Sequence, residues 1–235
     1  MKCTILAIIP ARGGSKRIPR KNIRLFAGQP IIKYSIDAAF QTGCFDEVMV
    51  STDDDEVARV AEQNGACIPF MRSEQNSNDY AGLAEVIEEV LIAYQKMGRE
   101  FTYFCCVLPT APFVSGHRLL QGLQMLKTTG ADAVIPVVRF SYPIQRAFMI
   151  ENSQLKMMWP ENYIKRSQDL MPAFHDCGQF YWMNVQSFLE QKKIFAHYTV
   201  PLEIQESEVQ DIDVEEDWKI AEWKYKALNP FVERN

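Results

Sequence analysis

The chain is predicted to be an α/β protein, doubly wound around a mainly parallel sheet, and three features of its sequence predict this. Apolar runs at 3–9, 103–108 and 133–138 have the composition of strands covered on both faces. Segments of helical character separate the strands along the chain, which builds a parallel sheet with right-handed crossovers. The first run feeds directly into a glycine-rich basic loop, where such sheets place their ligands.

Taken in order, the run 3–9 leads into Pro10-Ala11-Arg12-Gly13-Gly14-Ser15-Lys16-Arg17, and Pro30 then opens an amphipathic helix. Its buried side is Ile31, Ile32, Tyr34, Ser35, Ala38 and Ala39; proline suits a first helical position, where its missing N–H would be unpaired anyway. Residues 44–51 read as a strand around Val48-Met49-Val50. Thr52-Asp53-Asp54 caps the next helix, which stops at Asn64-Gly65. A short strand is expected at 67–70, an irregular polar stretch at 72–79 and a long helix over 80–97. The strand at 103–108 ends in the stiff turn Pro109-Thr110-Ala111-Pro112, ahead of a helix over 115–128. The basic loop, the Arg72 stretch, this turn and the segment at Arg139 all leave carboxyl ends of strands, so they should converge.

The alternation breaks over 139–172, a stretch rich in Pro, Gln, Met and aromatics. This excursion would cover the site or build a subunit contact; a local hydrophobic cluster explains its composition nearly as well. Residues 178–184 return as a strand, 185–191 as a short helix and 197–201 as an edge piece. The closing helix carries Val214, Trp218, Ala221, Tyr225 and Leu228, spaced three and four apart. No repeat or linker interrupts the chain, so one domain over 1–235 is expected.

The composition sets limits. At 47% hydrophobic and 23% charged, the 235 residues can build a packed core. The net charge of −5 argues against a general nucleic-acid binder. Positive charge is instead concentrated at the first loop, as a small anionic ligand requires. Six cysteines without a C-x-x-C pair suggest reduced thiols, and three scattered histidines exclude a His-rich metal site. The first apolar run, about seven residues, is short of a signal-peptide core or a membrane span, so a cytoplasmic protein without membrane partners is expected.

Two constellations carry chemistry. The loop offers closely approachable backbone N–H groups and the cations Arg12, Lys16, Arg17, Arg20, Lys21 and Arg24, a cradle for a polyphosphate. It is not a Walker motif, because Lys16 follows Ser15 and precedes Arg17. Nor is it the dinucleotide fingerprint, because the third glycine is missing and Pro19 interrupts the helix start. So many cations suit a triphosphate whose pyrophosphate departs, with Arg12 and Lys21 offsetting the developing charge. Near the other end stand Asp211 and Asp213. In an extended segment they project to one face about 7 Å apart, a spacing suited to Mg²⁺, which takes one or two protein carboxylates. A capping box from Asp213 to Glu216, with Asp211 merely solvated, explains the same residues equally well.

The string Ile9-Pro10-Ala11-Arg12-Gly13-Gly14-Ser15-Lys16, then Ile18-Pro19 and Lys21-Asn22, resembles the signature of the CMP-sialic acid synthetase family, cytidylyltransferases that activate nonulosonic acids. Ser51-Thr52-Asp53, Arg72, Pro109-Thr110-Ala111-Pro112, Arg166 with Gln168-Asp169-Leu170, and Asp211-Ile212-Asp213 extend the likeness over nearly the whole chain. Residues 137–146, 159–162, 166–170 and 175–182 are most similar to the branch that activates pseudaminic acid. Leu108 stands where the sialic acid branch has glutamine, and Cys177-Gly178-Gln179-Phe180 where it has Asn-Gly-Ala.

The resemblance implies a Rossmann-like nucleotidyltransferase acting on CTP and a nonulosonic acid, dimeric through the 139–172 excursion. Ala11, Arg12, Gly13, Ser15, Lys16, Lys21 and Asn22 would hold the CTP phosphates and ribose, with Arg72 lining the pocket. Asp79 and neighbouring backbone would read the cytosine, although the family's serine near this point has no counterpart here. Gln145, Arg166, His175 and Gln179 would contact the sugar, and Asp211 and Asp213 would hold Mg²⁺. On their own residues, Arg166 reads as a surface charge, His175 as a structural or solvent-facing histidine, and Gln179 equally as a structural hydrogen-bonder. The rival readings are a sialic or legionaminic acid enzyme and a non-catalytic nucleotide-binding module.

Overall fold

A computed structural model of the chain describes residues 3–78 and 80–230. In order these form β1 (Ile5–Pro10), the small hairpin β2 (Leu25–Phe26) and β3 (Gln29–Pro30), α1 (Ile31–Thr42), β4 (Glu47–Ser51), α2 (Asp55–Gln63) and α3 (Leu83–Lys96). They continue with β5 (Tyr103–Val107), α4 (Gly116–Thr129), β6 (Ala133–Arg139), the hairpin β7 (Phe148–Glu151) and β8 (Gln154–Met157), and β9 (Phe174–Asp176). The chain closes with β10 (Phe180–Asn184), α5 (Val185–Gln191), β11 (Thr199–Glu203) and α6 (Glu215–Leu228).

The central sheet runs β11-β6-β10-β5-β1-β4, with β9 beside β6. β1 is parallel to both neighbours, Ile8 pairing with Met49 and with Cys106, and β11 is parallel to β6. β10 is antiparallel to β5 and β6, and β9 antiparallel to β6. The sheet is therefore mixed. Its strands are still wound by helices on both faces, because alternate residues point to opposite sides. Ile5, Ala7 and Ile9 pack with α1, α2 and α4, whereas Leu6 and Ile8 pack with α3 and α5.

Some element boundaries differ from the sequence expectation for local physical reasons. Residues 67–70 make one parallel bridge, Cys67 to Met49, and no strand. Cys67 N–H donates to Val48 and its carbonyl accepts from Val50 N–H. The next donor in that ladder would be residue 69, and Pro69 has no N–H. α3 begins at Leu83 rather than at residue 80, because Asn78 Oδ1 accepts from the N–H groups of Tyr80 and Ala81 and holds a turn there. The 139–172 excursion does leave the sheet, and its hairpin β7–β8 pairs with itself alone.

α4 lies close against β10. A Cβ on Gly122 would stand 2.6 Å from Trp182 Cδ1, and Trp182 Nε1 donates to Leu119 O at 2.9 Å. Trp182 is fully buried and cannot swing aside. Gly122→Ala is therefore expected to lower unfolding stability by about 1–3 kcal/mol, measured by denaturant titration.

Candidate active site

The basic loop leaves the carboxyl end of β1, where Ala11 N–H still donates to Ser51 O at 2.9 Å. Asn22, buried, donates through Nδ2 to Arg12 O at 2.8 Å and ties the loop's two ends together. Gly13 N–H donates to Asp53 Oδ1 at 3.0 Å, and Arg12 Nη1 donates to Asn78 O at 3.2 Å. Arg72 lies beneath, buried, with its Nε donating to Ser51 Oγ at 3.0 Å and its backbone N–H to Thr52 O at 2.8 Å. Burial lowers its pKa from the ordinary guanidinium value, partly countered by Asp53 and Glu89.

A small apolar cluster brings the two ends of the chain together. Ile18 from the loop, Ile212 from between the aspartates, Phe26, Ile31, Trp218 and Ala221 pack as one unit, with Ile212 fully buried. Burying an isoleucine contributes roughly 1.5–3 kcal/mol, enough to fix the register of the 211–213 segment. With Ile212 turned into the cluster, Asp211 and Asp213 turn outward on the other side. Arg24 closes the joint, its guanidinium 4.5 Å from the Trp218 ring centre and 2.6 Å from Glu215.

The carboxylates thereby meet the cations. Arg17 donates to Asp213 Oδ1 at 2.7 Å. Lys21 Nζ donates to Ile212 O at 2.7 Å and lies 3.9 Å from Asp213. Burial lowers the Lys21 pKa, while Asp213 and Asp211 favour its charged form. Asp211 lies at the surface, yet its carboxyl is crowded by surrounding protein. That desolvation first, and the charge of Asp213 second, raise its pKa above the ordinary carboxylate value. The capping box expected from Asp213 is absent: the first turn of α6 is closed by Asp217, which accepts from the N–H groups of Asp213 and Val214.

A pocket of about 320 Å³ opens between these groups. Arg12, Ser15, Lys16, Lys21, Asn22, Arg72 and Asp213, all expected from the sequence, line it. Ala11 and Gly13 belong to the loop behind its wall. Asp211 stands beside it, facing Gly178, on which a Cβ would come within 3.7 Å of the carboxylate. Asp79 lies outside the described residues. Arg17, Ile18, Ala81, Leu83, Val86, Pro109 and Thr110 also line the pocket, as does Leu108, where the sequence departs from the sialic acid branch in a region that the resemblance gives to the sugar. Arg17 was legible as one of the loop's cations; its pairing with Asp213 was not.

The four expected sugar contacts fall elsewhere. Gln179 is buried at the start of β10; its Nε2 donates to Glu208 O and its carbonyl accepts from Leu108 N–H, which puts it next to the pocket wall. His175 is exposed on β9, with Nδ1 2.9 Å from Asp176 O and its ring beside Phe140. Gln145 donates to Met171 O and Arg166 pairs with Asp169, both inside the excursion. None of the four lines the 320 Å³ pocket. A larger cavity of about 590 Å³ lies between the excursion and the ends of β6 and β11, where Arg139 faces Glu203 and Glu206. One arginine against two glutamates leaves its lining net negative, so the smaller, cation-rich pocket suits a polyphosphate better.

A nucleotide-type fold with a basic loop set against paired carboxylates defines a nucleotidyltransferase, and comparison gives the family. Residues 6–232 match the cytidylyltransferase family model, and the chain belongs to that family. It is 40% identical over 223 residues to the pseudaminic acid cytidylyltransferase of Campylobacter jejuni subsp. jejuni serotype O:2, covering 94% of this chain and 96% of that protein. It is 35% identical over 232 residues to the CMP-N,N'-diacetyllegionaminic acid synthase of Legionella pneumophila, covering 96% and 97%. Among solved structures, CMP:2-keto-3-deoxy-manno-octonic acid synthetase complexed with CTP superposes with a TM-score of 0.68 at 16% identity, covering 97% of this chain and 100% of that one. At that identity the likeness concerns the fold.

Proposed function

We propose that the chain transfers CMP from CTP to pseudaminic acid and releases pyrophosphate. The observation that carries this reading is the meeting of the phosphate loop with Asp211-Ile212-Asp213 across one pocket. The 40% identity to a pseudaminic acid cytidylyltransferase, over nearly the full length of both chains, supports the choice of sugar over the legionaminic and sialic acid alternatives.

The donor set fits Mg²⁺. Two carboxylates project to one side of Ile212, and hard carboxylate oxygens beside a triphosphate pocket are ligands that Mg²⁺ takes. No group of three or more His, Cys, Asp or Glu among the described residues could enclose a metal, so CTP oxygens and water would complete the shell. Asp211 and Asp213 would hold the ion, whose Lewis acidity would offset charge on the reacting oxygens and acidify the sugar hydroxyl. Arg12 and Lys21 would bind the β- and γ-phosphates and stabilise the leaving pyrophosphate. Ser15, Lys16 and Asn22 would orient the triphosphate and ribose, and Ala81, Leu83 and Val86 offer the base an apolar wall. The sugar's anomeric hydroxyl would attack the α-phosphorus in line, forming the new P–O bond as the bond to pyrophosphate breaks and releasing its proton to solvent.

The excursion would serve as a subunit contact in a homodimer. It exposes Tyr163, Ile164, Met171 and Ile150, all more than two-thirds accessible, an apolar surface that a second copy would cover. Gln145, Arg166 and His175 would then reach sugar across that contact. No helix of the described residues is long and apolar enough to cross a membrane. All six cysteines are unpaired, as in the reducing cytoplasm where this enzyme would work.

The test is mass-spectrometric detection of CMP-sugar from CTP with pseudaminic, legionaminic and sialic acids offered separately. CMP-pseudaminic acid should form fastest. Preference for either other sugar contradicts the branch, and no product with any of them contradicts the reaction.

A further inference from the structure

Arg20 is a loop cation that does not line the pocket. It is a non-glycine residue in the left-handed region, with φ 54° and ψ 30°. That conformation crowds Cβ against the backbone and is disfavoured for a side chain. It nevertheless sets the next residues: Arg20 O accepts from Ile23 N–H and Arg24 N–H at 3.0 Å each. The turn so formed carries Lys21 to Ile212 O and Asn22 to Arg12 O.

The Arg20 side chain reaches away from the pocket to the start of α2. It donates to both oxygens of Asp54, at 2.6 and 2.9 Å, and to Glu56. Asp54 caps α2, accepting from Glu56 N–H at 3.0 Å and Val57 N–H at 2.9 Å. The same side chain abuts the loop's apex, where a Cβ on Gly13 would stand 2.6 Å from Asp54 Oδ2. One carboxylate thus joins a helix cap, the outer limb of the loop and its glycine apex. Its pKa, drawn down to about 2 chiefly by Arg20, agrees with that geometry.

We propose that the Arg20–Asp54 pair is a positioning clamp that holds residue 20 left-handed and so presents Lys21 and Asn22 to the nucleotide. Arg20 and Asp54 are positioning residues, acting through the turn and touching no substrate. The KM arm of the test below rests on the CTP reading above; the exchange arm does not.

The experiment compares Arg20→Ala, Arg20→Gly and Asp54→Asn for CTP kinetics and for hydrogen exchange at the Ile23 and Arg24 amides. Asparagine keeps the helix cap while removing the ion pair, so a change in Asp54→Asn reports the clamp and not the cap. Arg20→Ala and Asp54→Asn are expected to raise KM for CTP roughly tenfold, with a smaller change in kcat, as a charge-assisted two-point contact is lost. Both should speed exchange at Ile23 and Arg24. Arg20→Gly should recover most of the affinity, because glycine adopts the left-handed turn without a clamp. Wild-type KM and exchange in Arg20→Ala and Asp54→Asn would overturn the proposal, as would Arg20→Gly being as weak as Arg20→Ala. A wild-type protein that releases no pyrophosphate defeats the CTP reading, whereas unchanged exchange in the variants defeats the clamp.

Discussion

Asp211→Asn is expected to lower turnover on the order of 10²- to 10³-fold, the scale seen when one preorganised electrostatic group is removed from a reacting centre. The substitution keeps volume and shape and removes one negative charge from the pair that would hold Mg²⁺. It should leave the fold intact, because Ile212, and not Asp211, anchors the segment in the apolar cluster. The sign of the stability effect follows from linkage. The folded state raises the Asp211 pKa, so the fold binds this proton more tightly than the unfolded chain does. Stability from this group is therefore present at low pH and lost as pH rises through the folded pKa. At neutral pH the asparagine variant should melt no lower than wild type. Steady-state kinetics with a melting curve checks both; unchanged turnover would assign Asp211 to solvent and not to the metal.

Lys21→Ala should be comparably damaging, with kcat falling on the order of 10²-fold or more. Lys21 would stabilise charge on the departing pyrophosphate, and it also bridges the loop to the carboxylate segment through Ile212 O at 2.7 Å. Among the described residues its ammonium is one of three polar links between the chain's two ends, beside Arg17–Asp213 and Arg24–Glu215, as Ile18 and Ile212 join them on the apolar side. Lys21→Arg should recover part of the rate, because the charge returns without the same reach. A single-turnover measurement separates the chemical step from CTP binding. An alanine variant that changes only KM would make Lys21 a binding group alone.

Much of this architecture was legible in the sequence because it is written in local patterns. β1, β5 and β6 are short apolar runs with the composition of doubly covered strands, and the loop after β1 carries its glycines and cations in one stretch. The aspartate pair was visible from spacing, but its role was balanced against capping. The structure places the cap at Asp217 instead, one residue beyond the glutamate expected, and leaves Asp213 to Arg17 and Lys21. The antiparallel insertion of β10 between β5 and β6 was not legible, because strand order depends on which edges remain free after the excursion. Nor was the Arg20 clamp: its partner lies 34 residues away, and no local pattern marks a left-handed arginine. Gln145 and Arg166 sit within the excursion, where one chain's contacts hold them apart from the pocket.

The basic loop and Asp211-Ile212-Asp213 would be two halves of one metal–nucleotide site. The decisive measurement is pyrophosphate release from CTP and pseudaminic acid, first in chelator and then on titration with Mg²⁺. No release is expected in chelator, full release on adding Mg²⁺, and no restoration of the Asp211→Asn variant by Mg²⁺. Equal release with and without the metal, or a variant restored to the wild-type rate, would contradict a shared site.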